Sequence, residues 1–565
     1  MKIIDFSKPA SNYIGEPNTV DTEIHLFTQF FIHKDPSRHD EIKECLCKNV
    51  MNPHITHIHL LNERIYTDAE LGIDSTMINQ TKIIQTNIVN RLKYQHVFKY
   101  IRENAIKGYH ILANSDIFFD DSVCRLLQSD IHLSKKMFAL LRYEYTEPDL
   151  AKCELLGLEQ CKMFGLEQCK MFGPRYDSQD TWIFHSNFPI HDSWEKIFNF
   201  QFGQPGCDNK FLYLMKILAY GIYNDPLFIK TYHYHMNPKR DYTIKDVIRE
   251  PWAVSIPYNV ELKRNALGID LRREAAHSNN FQDLQFEDNS RIRDYITTKI
   301  DLGQNFIIPR ISGIENNMAV FARIGRQQNT IPPGILNYFQ NVVPAMKNNA
   351  GIQLTSMESI MKYSDLYLKA FDNADMYGGW ESQGGYLPHI AQSHAYMKDK
   401  YSNKQIVWSS ALDIFHYIYD SPWTVALKGK RVLIISPFET SILEKIPNMS
   451  KIYQKDGQDF NIFPDCTITT IKPPQTQADE VSREFDQELD DFYMRLDAIK
   501  DTYDVALISA GGYGNLICNH IFESGKSAIY VGGVLQMYFG ILGNQWLQDR
   551  PDVIRLFLNE HWSRP

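Results

Sequence analysis

The feature that most constrains this chain is an alternation of short apolar runs with helix-patterned text, and it occurs twice. In the first half, IHLFTQFFI (24–32) is an apolar, β-rich run. SRHDEIKECLCKNV follows, with Ser37 or Asp40 as candidate helix caps, and ITHIHLLNE (55–63) alternates as a strand does. TKIIQTNIV reads as a weaker strand. NRLKYQHVFKYIRENA reads as a helix with apolar spacing at Leu92, Val97, Phe98 and Ile101, and YHILANSDIFFD as a strand running into a turn. Further strands are predicted at 137–145, 180–186 and 227–235, the last preceded by the helix CDNKFLYLMKILAYG. The second half predicts strands at MAVFARIG (318–325), KRVLIISPF (430–438), CTITTIKPP (466–474), VALIS within 503–515 and KSAIYVGG (526–533), with helices between them and an acidic one over 479–499. Such alternation closes a core by laying helices against parallel strands, so the expected fold class is α/β.

At 565 residues, the chain exceeds what one core usually carries, and roughly two to four domains are expected at about 150 residues each. The polar stretch LRREAAHSNNFQDLQFEDNSRIRDY (271–295) reads as an exposed connection between halves. Hydrophobic residues at 44% and charged residues at 22% exclude a disordered chain. A net charge of −9 without a basic block argues against a nucleic-acid partner. Nine scattered cysteines with no Cys-x-x-Cys pair support neither a disulfide framework nor a zinc site. No signal-peptide run opens the sequence and no 18-residue apolar stretch occurs, so a soluble, cytoplasmic protein without a transmembrane segment is expected. GLEQCKMF at 157–164 is repeated unchanged at 165–172, which reads as a short duplication in a surface loop.

Three places carry candidate chemistry. NSDIFFD ends a predicted buried strand, where open α/β sheets bind ligands, and Asp116 there is either a metal-binding carboxylate or a turn residue. Asp208, in PGCDNK, opens a predicted helix and is either an N-cap or a general base. His233 and His235, two apart in TYHYH, share a strand face and are either metal ligands or an ordinary polar face. SQDTWIF adds Asp180, whose carboxylate could accept sugar hydroxyls, and Trp182, which either stacks on a sugar or packs in the core. In the second half, AGGYGN (Gly511, Gly512, Tyr513, Gly514) and the pair Gly532-Gly533 follow strands, where backbone N–H groups can hold phosphate. The spacing is not the dinucleotide fingerprint.

Taken together, RLKYQHVFKYI, ILANSDIFFDD, SQDTWIF and GQPGCDNKFLYLMKILAYGIYNDPLFIKTYHYH resemble a GT-A-fold glycosyltransferase. FARIG, PWTVALKGKRVLIISPFETSI, DVALISAGGYGN and KSAIYVGGVLQMYFGILGNQW resemble the GT-D-like glycosyltransferase domain. The resemblance implies two Rossmann-like α/β domains: GT-A-like over 1–265, a linker over 266–305, and GT-D-like over 306–565. It implies Mn²⁺ or Mg²⁺ on Asp116 with His233 or His235, a donor site of Arg91, Asn114, Ser115 and Asp116, and acceptor contacts from Asp180, Trp182 and Asn209. Asp208 becomes the base of an inverting transfer. Asn114 stands where the motif usually has an acid. In the second domain the implied ligand residues are Arg323, Gly325, Gln328, the two glycine turns and Gln536, with Gln328 where the family carries an acid. The expected function is transfer of a hexosyl or pentosyl group from a nucleotide sugar, UDP-linked, to a glycan acceptor in polysaccharide biosynthesis. The alternatives are a non-catalytic carbohydrate-binding or scaffold protein and a nucleotide-sugar hydrolase.

Overall fold

A computed structural model describes residues 21–73, 82–145, 154–155, 177–226, 228–234, 243–249, 251–255, 286–327, 333–379 and 388–565. The chain is α/β and divides into two compact units, Met1–Asp283 and Leu284–Pro565. The duplicated GLEQCKMF segment, His235 and Gln328 lie outside the described residues.

The first unit contains β1 (Ile24–Thr28), β2 (His57–Asn62), β3 (Ile83–Asn87), β4 (Tyr109–Ala113), β5 (Ile117–Phe119), β6 (Lys136–Leu140), β7 (Tyr143–Tyr145), β8 (Glu154–Leu155), β9 (Thr181–His185), β10 (Gly221–Tyr223) and β11 (Thr231–Tyr234). Seven of them form one sheet in the order β10-β6-β9-β4-β1-β2-β3. β1, β2, β3 and β4 pair in parallel, while β9 runs antiparallel between β4 and β6. β1 and β4 are buried along their whole length, as strands covered on both faces are, so they read as continuous apolar runs rather than alternating ones. The helix Pro36–Met51 connects β1 to β2; Asp35, rather than Ser37 or Asp40, caps it by accepting from the Ser37 N–H. From β1 the order runs outward through β2 and β3, and the chain returns on the other side as β4. That reversal between β1 and β4 opens a crevice at the strands' carboxyl ends. β5, β11, β7 and β8 form a smaller second sheet.

In the second unit, β12 (Ile307–Ile308), β15 (Arg431–Ile435), β18 (Thr467–Ile471), β19 (Val505–Ile508) and β20 (Ser527–Tyr530) form an all-parallel sheet ordered β12-β20-β19-β15-β18. β13 (Met376–Gly379) and β14 (Gln405–Trp408) pair in parallel, and β16 (Tyr453–Lys455) and β17 (Gln458–Phe460) form a hairpin.

Two expectations are corrected here. MAVFARIG is not a strand but part of the helix Gly313–Gln327. Met318, Phe321, Ala322 and Gly325 recur at i, i+3, i+4 and i+7 and are all buried, which is the helical period, although the run is apolar enough to pass for a strand. The stretch read as a connection becomes, from residue 286, the helix Phe286–Asp301 with Ile292 and Ile296 fully buried. Its polar residues are spent on the second unit's backbone: Asp288 accepts from the Trp408 N–H and Asn289 from the Trp423 N–H. Among the described residues no helix is long and apolar enough to cross a membrane.

Candidate functional site

The crevice at the β1/β4 reversal is lined by Thr28 and Gln29 at the end of β1 and by Ala113, Asn114 and Ser115 at the end of β4. Two polar atoms there, Thr28 Oγ1 and Asn114 Oδ1, are buried without a hydrogen-bond partner among the described residues. A buried polar atom left unpaired costs about 1–3 kcal/mol, so the pair would take a water or a polar group of a ligand in a crevice otherwise lined largely by apolar residues such as Leu26, Ile42, Leu46 and Leu60.

Register in the small sheet assembles the next layer. Asp116 immediately precedes β5, which pairs antiparallel with β11 so that His233 faces Ile117. On its other edge β11 pairs parallel with β7, and His233 faces Glu144. The Tyr234 N–H donates to the Asp116 carbonyl at 3.1 Å and fixes the start of β5 against β11. The outcome is a row: Asp116 Oδ2 lies 3.2 Å from His233 Nε2, and His233 Nδ1 lies 2.8 Å from Glu144 Oε2. Arg142 donates from Nε to Glu144 at 3.1 Å and from Nη1 to Asp180, and Asn114 donates to the other Asp180 oxygen at 2.6 Å. Arg38, from the helix after β1, donates to Asp116 at 3.2 Å and to Glu41 at 2.6 Å.

Charge in this row is coupled. Burial works to raise the Asp116 carboxyl, but His233, Arg38 and Arg142 outweigh it and hold it well below the usual carboxylate range. Burial works against a charged His233 ring, yet Asp116 and Glu144 raise it to about 9. Glu144 is lowered to about 2 by His233 and Arg142 against its own burial. Asp208 goes the other way. Burial, then the neighbouring Asp180 carboxylate, push it up to about 7, although it accepts the Gln179 N–H at 3.2 Å. It sits in the first turn of the helix Cys207–Ile217, whose cap is Gly206 at φ +78°, a conformation that favours glycine.

Asp116 Oδ2 lies 3.2 Å from His233 Nε2, an edge a divalent cation could span, but the same oxygen also accepts from Arg38 at 3.2 Å, so a cation there would have to displace that guanidinium. Among the described residues no group of three His, Cys, Asp or Glu side chains could hold a metal ion.

Of the residues expected from sequence, Asn114, Ser115, Asp116, Asp180 and His233 come together, and Asp208 lies near enough to Asp180 to feel its charge. Arg91 does not join the described hydrogen bonds of this row; it donates to the Phe202 carbonyl at 3.3 Å. Trp182 is not a sugar platform. It is fully buried on β9, between β4 and β6, with Tyr94, Phe202 and Phe211 at ring distances of 5.2, 6.0 and 5.4 Å. Asn209 is buried and donates to the Ala253 carbonyl at 3.3 Å, so it ties down a loop rather than facing an acceptor. Sequence reasoning missed Arg38, Arg142 and Glu144. The readable signal was Arg142 and Glu144, two apart in LRYEY, which puts two charges on one face of a largely apolar strand.

In the second unit the glycine turns have packing roles. A Cβ on Gly512 would meet Ile352 at 2.3 Å and one on Gly514 would meet the Tyr530 ring at 2.2 Å. The Tyr530 and Tyr363 hydroxyls donate to the carbonyls of Gly511 and Gly512, and Tyr513 is buried. The space a phosphate needs at this turn is filled by side chains. Arg323 lies about three turns into the helix Gly313–Gln327 and pairs with Asp365 at 2.9 Å; Gly325 is buried in the same helix. The arginine that does stand at a strand end is Arg310, after β12. It donates to the Val531 carbonyl at 2.6 Å across Gly532, where a Cβ would lie 2.5 Å from its guanidinium. Glu315, in the next helical turn, is buried; burial pushes its carboxyl up, with Arg310 opposing. Gln536 Oε1 and Trp546 Nε1 are buried without partners beside Gly543 and Gly533. The signal missed in sequence was the order Arg310, Gly313, Glu315 directly after an apolar strand.

No family model and no curated protein matches this chain. Among solved structures it is similar to the mannosyltransferase PcManGT from Pyrobaculum calidifontis in complex with GDP-Man and Mn²⁺, at 9% identity and a TM-score of 0.26, covering 70% of this chain and 89% of that one. It is also similar to domain of unknown function 1792, at 11% identity and a TM-score of 0.25, covering 47% of this chain and 86% of that one.

Proposed function

We propose that the first unit is a glycosyltransferase acting on a nucleotide sugar, with a divalent cation bound by Asp116 and His233. The observation that carries this reading is the meeting, around one sheet reversal, of unpartnered polar atoms, a buried carboxylate–imidazole pair at Asp116 and His233, and a carboxyl pushed up to about 7 at Asp208. Bound there, the cation supplies charge neutralisation for a departing diphosphate. Thr28 and Asn114 bind the donor's polar groups in the crevice. Arg38 and Arg142 add fixed positive charge beside Asp116. Asp208 takes the proton from the acceptor hydroxyl; a base near 7 is matched to operation at neutral pH. With one carboxyl in that role and none assigned as a nucleophile, the sugar configuration inverts. Asp180 holds Arg142 and Asn114 and raises Asp208, so it positions the site. The second unit, by this reading, is a second transferase or an acceptor-binding domain centred on Arg310 and Glu315.

The test is nucleotide release and sugar transfer with UDP-, GDP- and dTDP-sugars, with and without Mn²⁺, over a panel of glycan acceptors. Acceptor-dependent release that falls at least about 100-fold in Asp208→Asn is expected. Retained configuration in the product, read by NMR, removes the role given to Asp208. A second reading, a nucleotide-sugar-binding protein without turnover, is favoured by one observation: Asn114 stands where an acid is usual and spends its amide on Asp180. Calorimetric binding without turnover on any acceptor selects it.

A further inference from the structure

We infer that β18 is the seam of a two-fold dimer, in which two copies of this chain pair their β18 strands antiparallel about Thr469 and so join their five-stranded sheets into one. Among the described residues β18 is an edge strand. It pairs with β15 in parallel, with Thr467 opposite Arg431 and Ile471 opposite Ile435. The Thr467 N–H donates to the Lys430 carbonyl at 3.1 Å, and the Ile471 carbonyl accepts from the Ser436 N–H at 3.3 Å. In a parallel ladder alternate residues turn both backbone groups to the same neighbour. Thr467, Thr469 and Ile471 therefore face β15, and the N–H and C=O of Ile468 and Thr470 point out from the sheet. The opposite edge is closed: β12 is continued by β13, where the Ile311 N–H donates to the Gly378 carbonyl at 2.8 Å and the Gly378 N–H to the Pro309 carbonyl at 2.9 Å.

Edge strands usually carry a lysine, a proline or a bulge that discourages pairing. TITTI (467–471) carries none of these. It is uncharged and built from two β-branched residue types that suit a pleated strand, and Thr467 and Thr469 are exposed. The pair Pro473-Pro474 comes only after it and limits the length of the seam. A second copy is favoured as the occupant because the register is self-complementary. Pairing about Thr469 sets Ile468 against Thr470 of the second copy, and Thr470 against its Ile468, each exchanging both N–H and C=O. Thr469 then meets Thr469 in the close, non-hydrogen-bonded pair, a favourable cross-strand combination. The flanks match in charge. One residue past the strand, the register brings the exposed Lys472 opposite Cys466 of the second copy, next to the exposed Asp465, and the two-fold axis makes this contact twice. Asp465 is held within its own chain by Lys428 at 3.7 Å, a loose pair exposed at both ends.

The experiment is sedimentation equilibrium of the full chain up to about 100 µM, since a seam of this length buries less than a standard interface and holds a weak dimer, together with oxidative cross-linking. The parent is expected to dimerise. Thr469→Lys sets two ammonium groups face to face at an exposed position and is expected to weaken self-association about 3–30-fold with an unchanged circular dichroism spectrum. Thr469→Cys, whose mate lies about 4.5 Å away between Cα atoms, is expected to cross-link the dimer above the background of the parent's own cysteines. Thr467→Cys, about 14 Å from its mate, is not. A parent that stays monomeric overturns the inference, whether the edge then takes a strand of another protein or is covered by another segment of this chain. A dimer that Thr469→Lys leaves intact, or that cross-links no better through position 469 than through 467, also overturns it, because the copies then meet elsewhere. Should Thr469→Lys not fold, the two cysteine variants decide.

Discussion

Removing a histidine from the first unit's sheet should make that unit less sensitive to acid. Register sets His57, His25 and His110 side by side across β2, β1 and β4, with His59 two residues along β2. His25 Nδ1 and His59 Nε2 are 3.1 Å apart, and the His25 ring stacks on those of His57 and His59 at 5.1 and 5.3 Å. Burial first, and the neighbouring histidines second, lower His59 and His110 from 6.5 to about 3. Both are neutral in the folded protein and take up a proton on unfolding at pH values between those limits. Their stabilising contribution is thus complete above 6.5 and is lost as pH falls below it. The loss is about 1.4 kcal/mol per pH unit for each ring, hence about 2 kcal/mol each at about pH 5 and about 4 kcal/mol for the two. The perturbation is His110→Leu. Its cavity and packing cost is common to all pH values, so only the difference between about pH 7.5 and about pH 5 is informative. Urea unfolding, read by hydrogen exchange of peptides from β1 and β4, follows the first unit by itself. The parent should lose about 2 kcal/mol more than the variant over that interval. An identical loss in both refutes the claim that His110 is held neutral by the fold.

Other substitutions separate chemistry from packing. Asp208→Asn should remove an acid limb near pH 7 in the rate profile while raising the melting temperature above that pH, because the parent buries a carboxylate beside Asp180 that the amide replaces without charge; a variant that melts lower at pH 8 contradicts the burial argument. Trp182→Ala should cost the first unit about 3–5 kcal/mol in urea unfolding, and Trp182→Phe far less, with acceptor KM unchanged in the latter; a KM effect in Trp182→Phe restores the sugar-platform role. Gly514→Ala should destabilise the second unit, since its Cβ would lie 2.2 Å from the Tyr530 ring; a neutral effect on unfolding shows that the turn has room for a ligand after all.

The sequence by itself determined the α/β class, the strands of the two large sheets other than β10 and β12, the strand-end location of Asp116 and the helix-start location of Asp208; it read a helix as a strand at 318–325 and left β8, β13, β14, β16 and β17 unread. These follow from local periodicity and from chain ends of buried strands, which are written along the sequence. It determined the candidates but not their company. Whether Trp182 faces solvent or core depends on β9 being inserted antiparallel between β4 and β6, a pairing that no local pattern encodes. Whether a glycine turn cradles a ligand or a neighbour depends on Tyr530 and Ile352, which lie 16 or more residues away in sequence. Glu144 and Arg142 acquire meaning only when β7 and β11 align, because a hydrogen bond is decided within tenths of an ångström while sequence spacing specifies only which face of a strand a residue shares. The charge states at the site are decided the same way: Asp116 and Asp208 are the same residue type, and their carboxyls are driven in opposite directions by His233 and the arginines for one and by burial beside Asp180 for the other.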